Sequence, residues 1–405
     1  MDAPRRAIEA VARESYGRLL AFVAARTRDV AAAEDALGDA FIAALTTWSR
    51  DGVPENPGAW LLTTARRRLI DQARAGQRVT TASAQVLELV AEKAAPGTDE
   101  PFPDERLNLM FVCAHPAIDP AVHTPLMLQT VLGLDAASIA RAFLVPPATL
   151  GQRLVRAKAK IRDTRIAFEV PGAAELPQRL DAVLGAIYTA YGSGWEDAAG
   201  ADAWTRGLGE EAIWLARVLA QRLPEEPEAR GLLALVLHCE ARRPARRTPE
   251  GHYVPLSEQD TVLWSKELME EAERELTTAA RLARPGRFQL EAVIQSVHAE
   301  RARTGRTEWG AIATFYEHLL HLTPTLGARV GHAAAVAEAR EPEAGLALLD
   351  GIDPATVSSY QPYWAVRAHL LEQADRQPEA REAYDRAIGL ATDDAVRRFL
   401  LDRRG

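Results

Sequence analysis

From Asp29 onward, apolar residues fall at Ala36, Leu37, Ala40, Phe41, Ala44, Leu45 and Trp48. Steps of three and four gather on one face only if the chain is an α-helix. Asp29 is a fitting N-cap for it, because a carboxylate there accepts from backbone N–H groups that have no intrahelical partner. The stretch Ser49–Gly58, with two prolines and two glycines, ends the stripe. A second helix then runs over 59–75, apolar at Trp60, Leu61, Thr64, Ala65, Leu69 and Ile70 and arginine-rich on its other side. Nearly every periodic segment of the chain repeats this pattern, so the expected fold class is all-α.

Several classes of protein are excluded at this stage. No apolar run approaches the roughly 18–20 residues of a membrane span. No apolar stretch follows the N-terminal Met-Asp-Ala-Pro-Arg-Arg, so the expectation is a cytoplasmic protein without a signal peptide. Two cysteines, Cys113 and Cys239, cannot build a disulfide framework. The net charge of −8 is unevenly spread. Residues 1–165 hold 21 Lys and Arg against 19 Asp and Glu, whereas the remaining residues hold 27 against 37. Within the first part, Arg66, Arg67, Arg68, Arg74 and Arg78 form one basic cluster opposed only by Asp71. Arg153, Arg156, Lys158, Lys160, Arg162 and Arg165 form a second, opposed only by Asp163. Two such clusters suggest two contacts with a polyanion.

Residues 79–104 are acidic and proline-bearing and read as a linker, which separates a domain over 1–78 from one over 105–166. Helices resume over 105–115 and 120–132. From Leu134 to Lys158 the sequence reads as a helix-turn-helix. Asp135 caps a short helix with Ile139, Ala140 and Phe143 inside, Leu144-Val145-Pro146 makes the turn, and Pro147 opens a second helix. Leu150, Leu154, Ala157 and Ile161 face inward. Thr149, Gln152, Arg153, Arg156 and Lys160 share the outer face, with polar side chains near the N-terminus for base edges and cations beyond for phosphates.

Residues 167–405 carry weak internal repeats. Small or apolar residues recur at x, x+4 and x+7, with a proline or helix end at x+12: Ala212, Ala216, Leu219, Pro224; Ile312, Tyr316, Leu319, Pro324; Ala380, Tyr384, Ala387, Thr392. The step from Ile312 to Ala380 is twice the 34-residue period of tetratricopeptide repeats. Helical hairpins stacked into a short solenoid fit this region, and residues 242–257 read as a loop inserted in the array.

The remaining constellations are bland. Cys113, His115 and His123 offer no fourth ligand, so no metal is expected. Asp260, Glu267, Glu270, Glu271, Glu273 and Glu275 read as a solvated acidic face. No phosphate-binding loop, nucleophile elbow or His-Glu-x-x-His motif occurs. Neither an enzyme nor a cofactor is expected.

Three stretches resemble the extracytoplasmic-function sigma factors of bacterial RNA polymerase. They are Asp29-Val-Ala-Ala-Ala-Glu-Asp-Ala-Leu-Gly-Asp-Ala-Phe, Asn56-Pro-Gly-Ala-Trp-Leu-Leu-Thr-Thr-Ala-Arg-Arg-Arg, and residues 134–165. With its repeat-bearing tail, the chain is similar to the subgroup that carries a tetratricopeptide-like C-terminal extension. The resemblance implies a sigma-2 domain at 1–78, a sigma-4 domain at 105–166, and core RNA polymerase, through its β′ clamp and β flap, and promoter DNA as partners. It assigns polymerase binding to Asp35, Leu37, Asp39 and Phe41, and −10 DNA binding to Asn56, Trp60, Arg66, Arg67, Arg68 and Arg74. The −35 element falls to Thr149, Gln152, Arg153, Arg156, Lys158 and Lys160. Where many relatives carry Ala-Arg-Asn-Arg, this chain has Ala65-Arg66-Arg67-Arg68, so strand binding is implied and base identity is not. Trp60 serves either to stack on a base or to fill the core, and its alignment with Thr64 rather than the arginines points to the core.

The implied function is promoter recognition and transcription initiation. The repeats are a regulatory module, either folded back on the sigma domains or bound to another protein. Two alternatives remain at this point: a helix-turn-helix regulator that works without polymerase, and a repeat-based adaptor.

Overall fold

The computed structural model describes residues 3–74, 103–143, 145–196 and 207–405. The protein is all-α, and the described residues contain no strand beyond a single bridge between Arg247 and Tyr253. None of the described helices is long and apolar enough to cross a membrane. The chain divides into two compact units: residues 1–194 with 202–215, and residues 195–201 with 216–405.

In the first unit, α1 (Ala3–Thr27), α2 (Val30–Asp51) and α3 (Pro57–Arg74) pack together around Leu19, Leu20, Leu37, Trp48, Leu61 and Leu69. Asp29 caps α2, accepting from Ala32 N at 3.0 Å, and Asn56 does the same for α3 through Ala59 N at 3.0 Å. Four further helices follow: α4 (Arg106–Cys113), α5 (Pro120–Thr130), α6 (Ala136–Ala142) and α7 (Pro147–Thr164). Asp135 caps α6 through Ala137 N and Ser138 N, and Pro147 sits in the first turn of α7. The expected linker over 79–104 lies outside the described residues, except for Pro103 and Asp104.

The two helix groups are not separate bodies. Helix α1 packs on α4 and α5, and α2 packs on α7. A Cβ at Gly17 would stand 1.7 Å from the carbonyl oxygen of Val131, so α1 lies against the end of α5 at a distance only glycine permits. Gly133, at φ +69°, turns the chain there beside the Tyr16 ring. Arg18 faces Asp104 at 3.9 Å and Arg26 faces Glu105 at 4.0 Å.

The first unit also extends past residue 166, to include α8 (Leu176–Glu196) and the start of α9 (Leu208–Arg222). Arg106 supplies the reason. It is buried, donates from Nε to both carboxylate oxygens of Asp104 at 3.0 Å and from Nη2 to Oδ2 at 2.7 Å, pairs with Glu211, and lies 4.1 Å from the Trp214 ring. A buried guanidinium needs such partners, and two of them are on α9.

The second unit is a run of helices in which successive neighbours pack: α10 (Pro227–Ala241), α11 (Lys266–Arg281), α12 (Arg287–Ala299), α14 (Trp309–Leu322), α15 (Leu326–Ala339), α16 (Pro342–Asp350), α18 (Gln361–Gln373), α19 (Gln377–Leu390) and α20 (Asp394–Arg404). Short turns α13 (Arg301–Thr304) and α17 (Pro354–Val357) punctuate the run. Small side chains let the helices close up: Ala333, Ala337, Ala368, Ala380, Ala383 and Ala387 are all buried. The acidic face of α11 is not simply solvated. Glu271 pairs with Arg217 at 2.8 Å, Glu275 with Arg230 at 2.6 Å and Glu273 with His238 at 3.2 Å. These carboxylates join α11 to α9 and α10.

Candidate nucleic-acid interface

Helix α7 presents its polar face as the sequence spacing requires. Leu150, Leu154, Ala157 and Ile161 are buried, and Thr149, Gln152, Arg153, Arg156 and Lys160 are exposed on the opposite side. Among the described residues, Arg153, Arg156 and Lys160 face no carboxylate within ion-pair distance, which leaves a line of uncompensated positive charge. Arg153, Arg156 and Lys160 border a shallow groove of about 190 Å³ whose other wall includes Ile118 and Val122.

Lys158 departs from this face. It is 8% exposed, and its Nζ donates to both carboxylate oxygens of Glu34 on α2, at 2.6 and 2.7 Å. Burial pushes the Glu34 carboxyl up and Lys158 pulls it back down. Buried and charge-paired in this way, the ammonium is not presented to a phosphate while the contact lasts. The expectation that Lys158 touches DNA is therefore corrected for this arrangement.

On α3, Arg67 and Arg68 are exposed and Arg66 is half-buried. No carboxylate lies within ion-pair distance of the three among the described residues. Arg74 ends the helix, but its side chain, like Arg78, lies outside the described residues. Asn56 is exposed and spends its Oδ1 on the α3 cap, leaving the amide nitrogen for a ligand. Trp60 is half-buried and meets the buried Trp48 edge-on at 5.5 Å, so the core reading of its ring holds for at least one face.

On α2, Asp35 is exposed, Asp39 is half-buried, and Phe41 leans on Tyr16 at 6.4 Å between ring centres. Leu37 has no exposed surface. Its assignment as a partner contact is corrected, because it belongs to the core of the three helices. The apolar side chains that do reach the surface are Ile42, 65% exposed, and Leu45, 46% exposed. Sequence reading put Leu45 on the inner stripe and passed over Ile42. With Asp35 and Asp39 they make an acidic and apolar face, and the signal for it was Ile42 standing one position off the stripe.

The thiol of Cys113 is buried beside the Thr130 hydroxyl at 3.6 Å, and burial pushes it up to about 12. His123 is buried and bonded to the Ile118 carbonyl at 3.0 Å. Both residues are occupied in packing.

Comparison with known proteins bears on these faces. Residues 11–79 match the model of sigma-70 region 2. Over 385 residues the chain is 37% identical to Uncharacterized protein R00370 of Rhizobium meliloti (strain 1021), covering 94% of this chain and 90% of that protein. The chain belongs to that protein's family. Its region 2 match spans most of α1 and all of α2 and α3, and so contains both the acidic and apolar face of α2 and the arginines of α3. Residues 179–280 match a family of unknown function, DUF6596, which begins on α8 and ends on α11. No solved structure matches the chain.

Proposed function

We propose that this protein is a sigma factor that brings core RNA polymerase to promoters. The observation that carries the reading is the sigma-70 region 2 match over α1–α3, with Arg66, Arg67 and Arg68 of α3 facing no carboxylate among the described residues and a surface face of Asp35, Asp39, Ile42 and Leu45 on α2. The α2 face suits a basic and apolar surface of polymerase. The arginines of α3 suit the strand opened at the −10 element, where cations neutralise phosphates and an aromatic face can stack on a base. Helices α6 and α7 act as a helix-turn-helix on the −35 element. Thr149, Gln152 and Arg153 lie nearest the bases, and Arg156 and Lys160 lie over phosphates.

The Glu34–Lys158 contact has a consequence for this reading. The −35 and −10 elements are about 25 base pairs apart, roughly 85 Å along B-form DNA at about 3.4 Å per base pair. Helices in contact cannot occupy both. Engagement of both elements by one molecule therefore requires the Glu34–Lys158 pair to break.

The second unit acts as a tetratricopeptide-like module that regulates the first or recruits a protein partner. The small-residue helix packing and the repeat spacing support this. The test is co-purification with core polymerase and run-off transcription from a randomised promoter library, using the full chain and a chain ending after Arg222. Enriched −10 and −35 sequences are expected. Absence of polymerase binding by both chains overturns the proposal.

A further inference from the structure

Residues 242–263, between α10 and α11, leave the repeat pattern and run across to the last helix of the same unit. Arg247 pairs with Asp393 at 2.5 Å, Tyr253 meets Phe399 edge-on at 5.4 Å, and Glu258 pairs with Arg403 at 2.5 Å. Arg301 donates to the carbonyls of Ser257 and Gln259 at 2.6 and 2.9 Å. The segment is a strap tied down at four points. It closes one side of a cavity of about 360 Å³ whose walls include Trp264, His298, Trp309, Ala334, Tyr384 and Phe399. That volume lies in the range of small-molecule sites, about 300–1,000 Å³.

The polar groups of the cavity decide what it can hold. Its two arginines are already engaged: Arg403 on Glu258 and the Phe399 ring, and Arg301 on the strap carbonyls and the Trp264 ring. They offer little to an anion. Glu338 faces His369 at 3.9 Å and the Tyr384 hydroxyl donates to Glu372, while two nitrogen-bearing rings are left over. The indole N–H of Trp264, in a residue 5% exposed, donates to no protein atom. The His298 ring stands edge-on to Trp309 at 5.3 Å and makes no hydrogen bond among the described residues. A buried donor without an acceptor is costly, and a ligand oxygen relieves it.

We propose that this strap-covered cavity binds a small, neutral aromatic molecule bearing a hydroxyl group. The rings of Trp264, Trp309 and Phe399 supply the apolar walls. The hydroxyl accepts from the Trp264 N–H and donates to a ring nitrogen of His298. Burial holds His298 down to about 3, so at neutral pH the imidazole has the lone pair this requires. In a run of helices whose contacts are mainly with neighbours, such a ligand touches the strap, α12, α15, α18, α19 and α20 together. Its occupancy therefore stiffens the whole unit. The inference does not depend on the sigma-factor reading, because the measurement needs neither polymerase nor DNA.

The test is titration of the full chain with 2-naphthol, and separately with the anionic 2-naphthoate, by calorimetry and thermal melting. Saturable one-site binding of 2-naphthol with a raised Tm is expected, at least tenfold tighter than 2-naphthoate. His298→Phe is expected to weaken it about tenfold, and Ala334→Trp, which fills the cavity, to abolish it. No saturable binding, equal or tighter binding of 2-naphthoate, or full binding by Ala334→Trp overturns the proposal. If Ala334→Trp fails to fold, the His298→Phe ratio decides: an unchanged affinity overturns it.

Discussion

Replacing Lys158 by methionine leaves the Glu34 carboxylate facing an apolar end group. At 2.6 Å and an effective dielectric constant of about 20, the attraction lost is about 6 kcal/mol before desolvation is counted. Removing one partner of a fully buried pair costs about 3–5 kcal/mol. The Glu34 side chain keeps 21% of its surface and Lys158 10%, so about 2 kcal/mol is expected for Lys158→Met and about the same for Glu34→Leu. The double variant leaves no stranded charge and should lie within about 1 kcal/mol of the parent, giving a coupling of about 3 kcal/mol. Hydrogen exchange of α2 and α7 peptides in the full chain reads these local openings without assuming that the whole protein unfolds in one step. An internal control follows from protonation. In Lys158→Met the folded-state Glu34 is pushed above its unfolded value, so the native state binds the extra proton. The deficit must therefore shrink as pH falls from 7 toward 5. Additive single effects, each under about 0.5 kcal/mol, would refute the docking of α7 on α2 and with it the reasoning about Lys158.

Other outcomes follow from the same geometry. Arg153→Ala should relax preference within the −35 element, whereas Arg156→Ala should weaken all sequences alike and lower the salt slope by about one; binding selections at two salt concentrations separate the two. Ile42→Glu should weaken core polymerase binding at least tenfold in a pull-down titration. Its melting should stay nearly unchanged, since a side chain 65% exposed contributes little to folding. His298 is held below its unfolded value by burial first and then by Arg242 and Arg301, so the unfolded state takes up the proton. The native state therefore loses stability as pH falls below about 6.5, and His298→Phe should flatten the decline in Tm between pH 7 and 5.

The local grammar of the chain was legible. Asp29 and Asp135 cap the helices their positions announce, and Pro147 opens α7. The outward set Thr149, Gln152, Arg153, Arg156 and Lys160 follows from a period of 3.6 residues. Such features depend on atoms within a few residues of one another, so sequence spacing is enough to read them. The sigma-70 region 2 and the all-α class belong to the same legible layer.

Whatever depends on residues far apart in the chain was settled elsewhere. Lys158 follows Leu154 by four positions and precedes Ile161 by three, so spacing sets it at the edge of the inward face, but nothing within that helix supplies its ammonium with a partner. Glu34, 124 residues earlier, does so once α2 packs on α7. The rotation of α2 in its bundle sends Leu37 to the core and leaves Ile42 and Leu45 outside. Residues 242–257 read as a loop because their own sequence carries no helical period. Their role as a strap comes from Asp393, Phe399 and Arg403, more than 130 residues onward. Periodicity fixes which side chains share a helix face. Only the docking of one helix on another decides whether that face meets water, a core or a charge from a distant part of the chain.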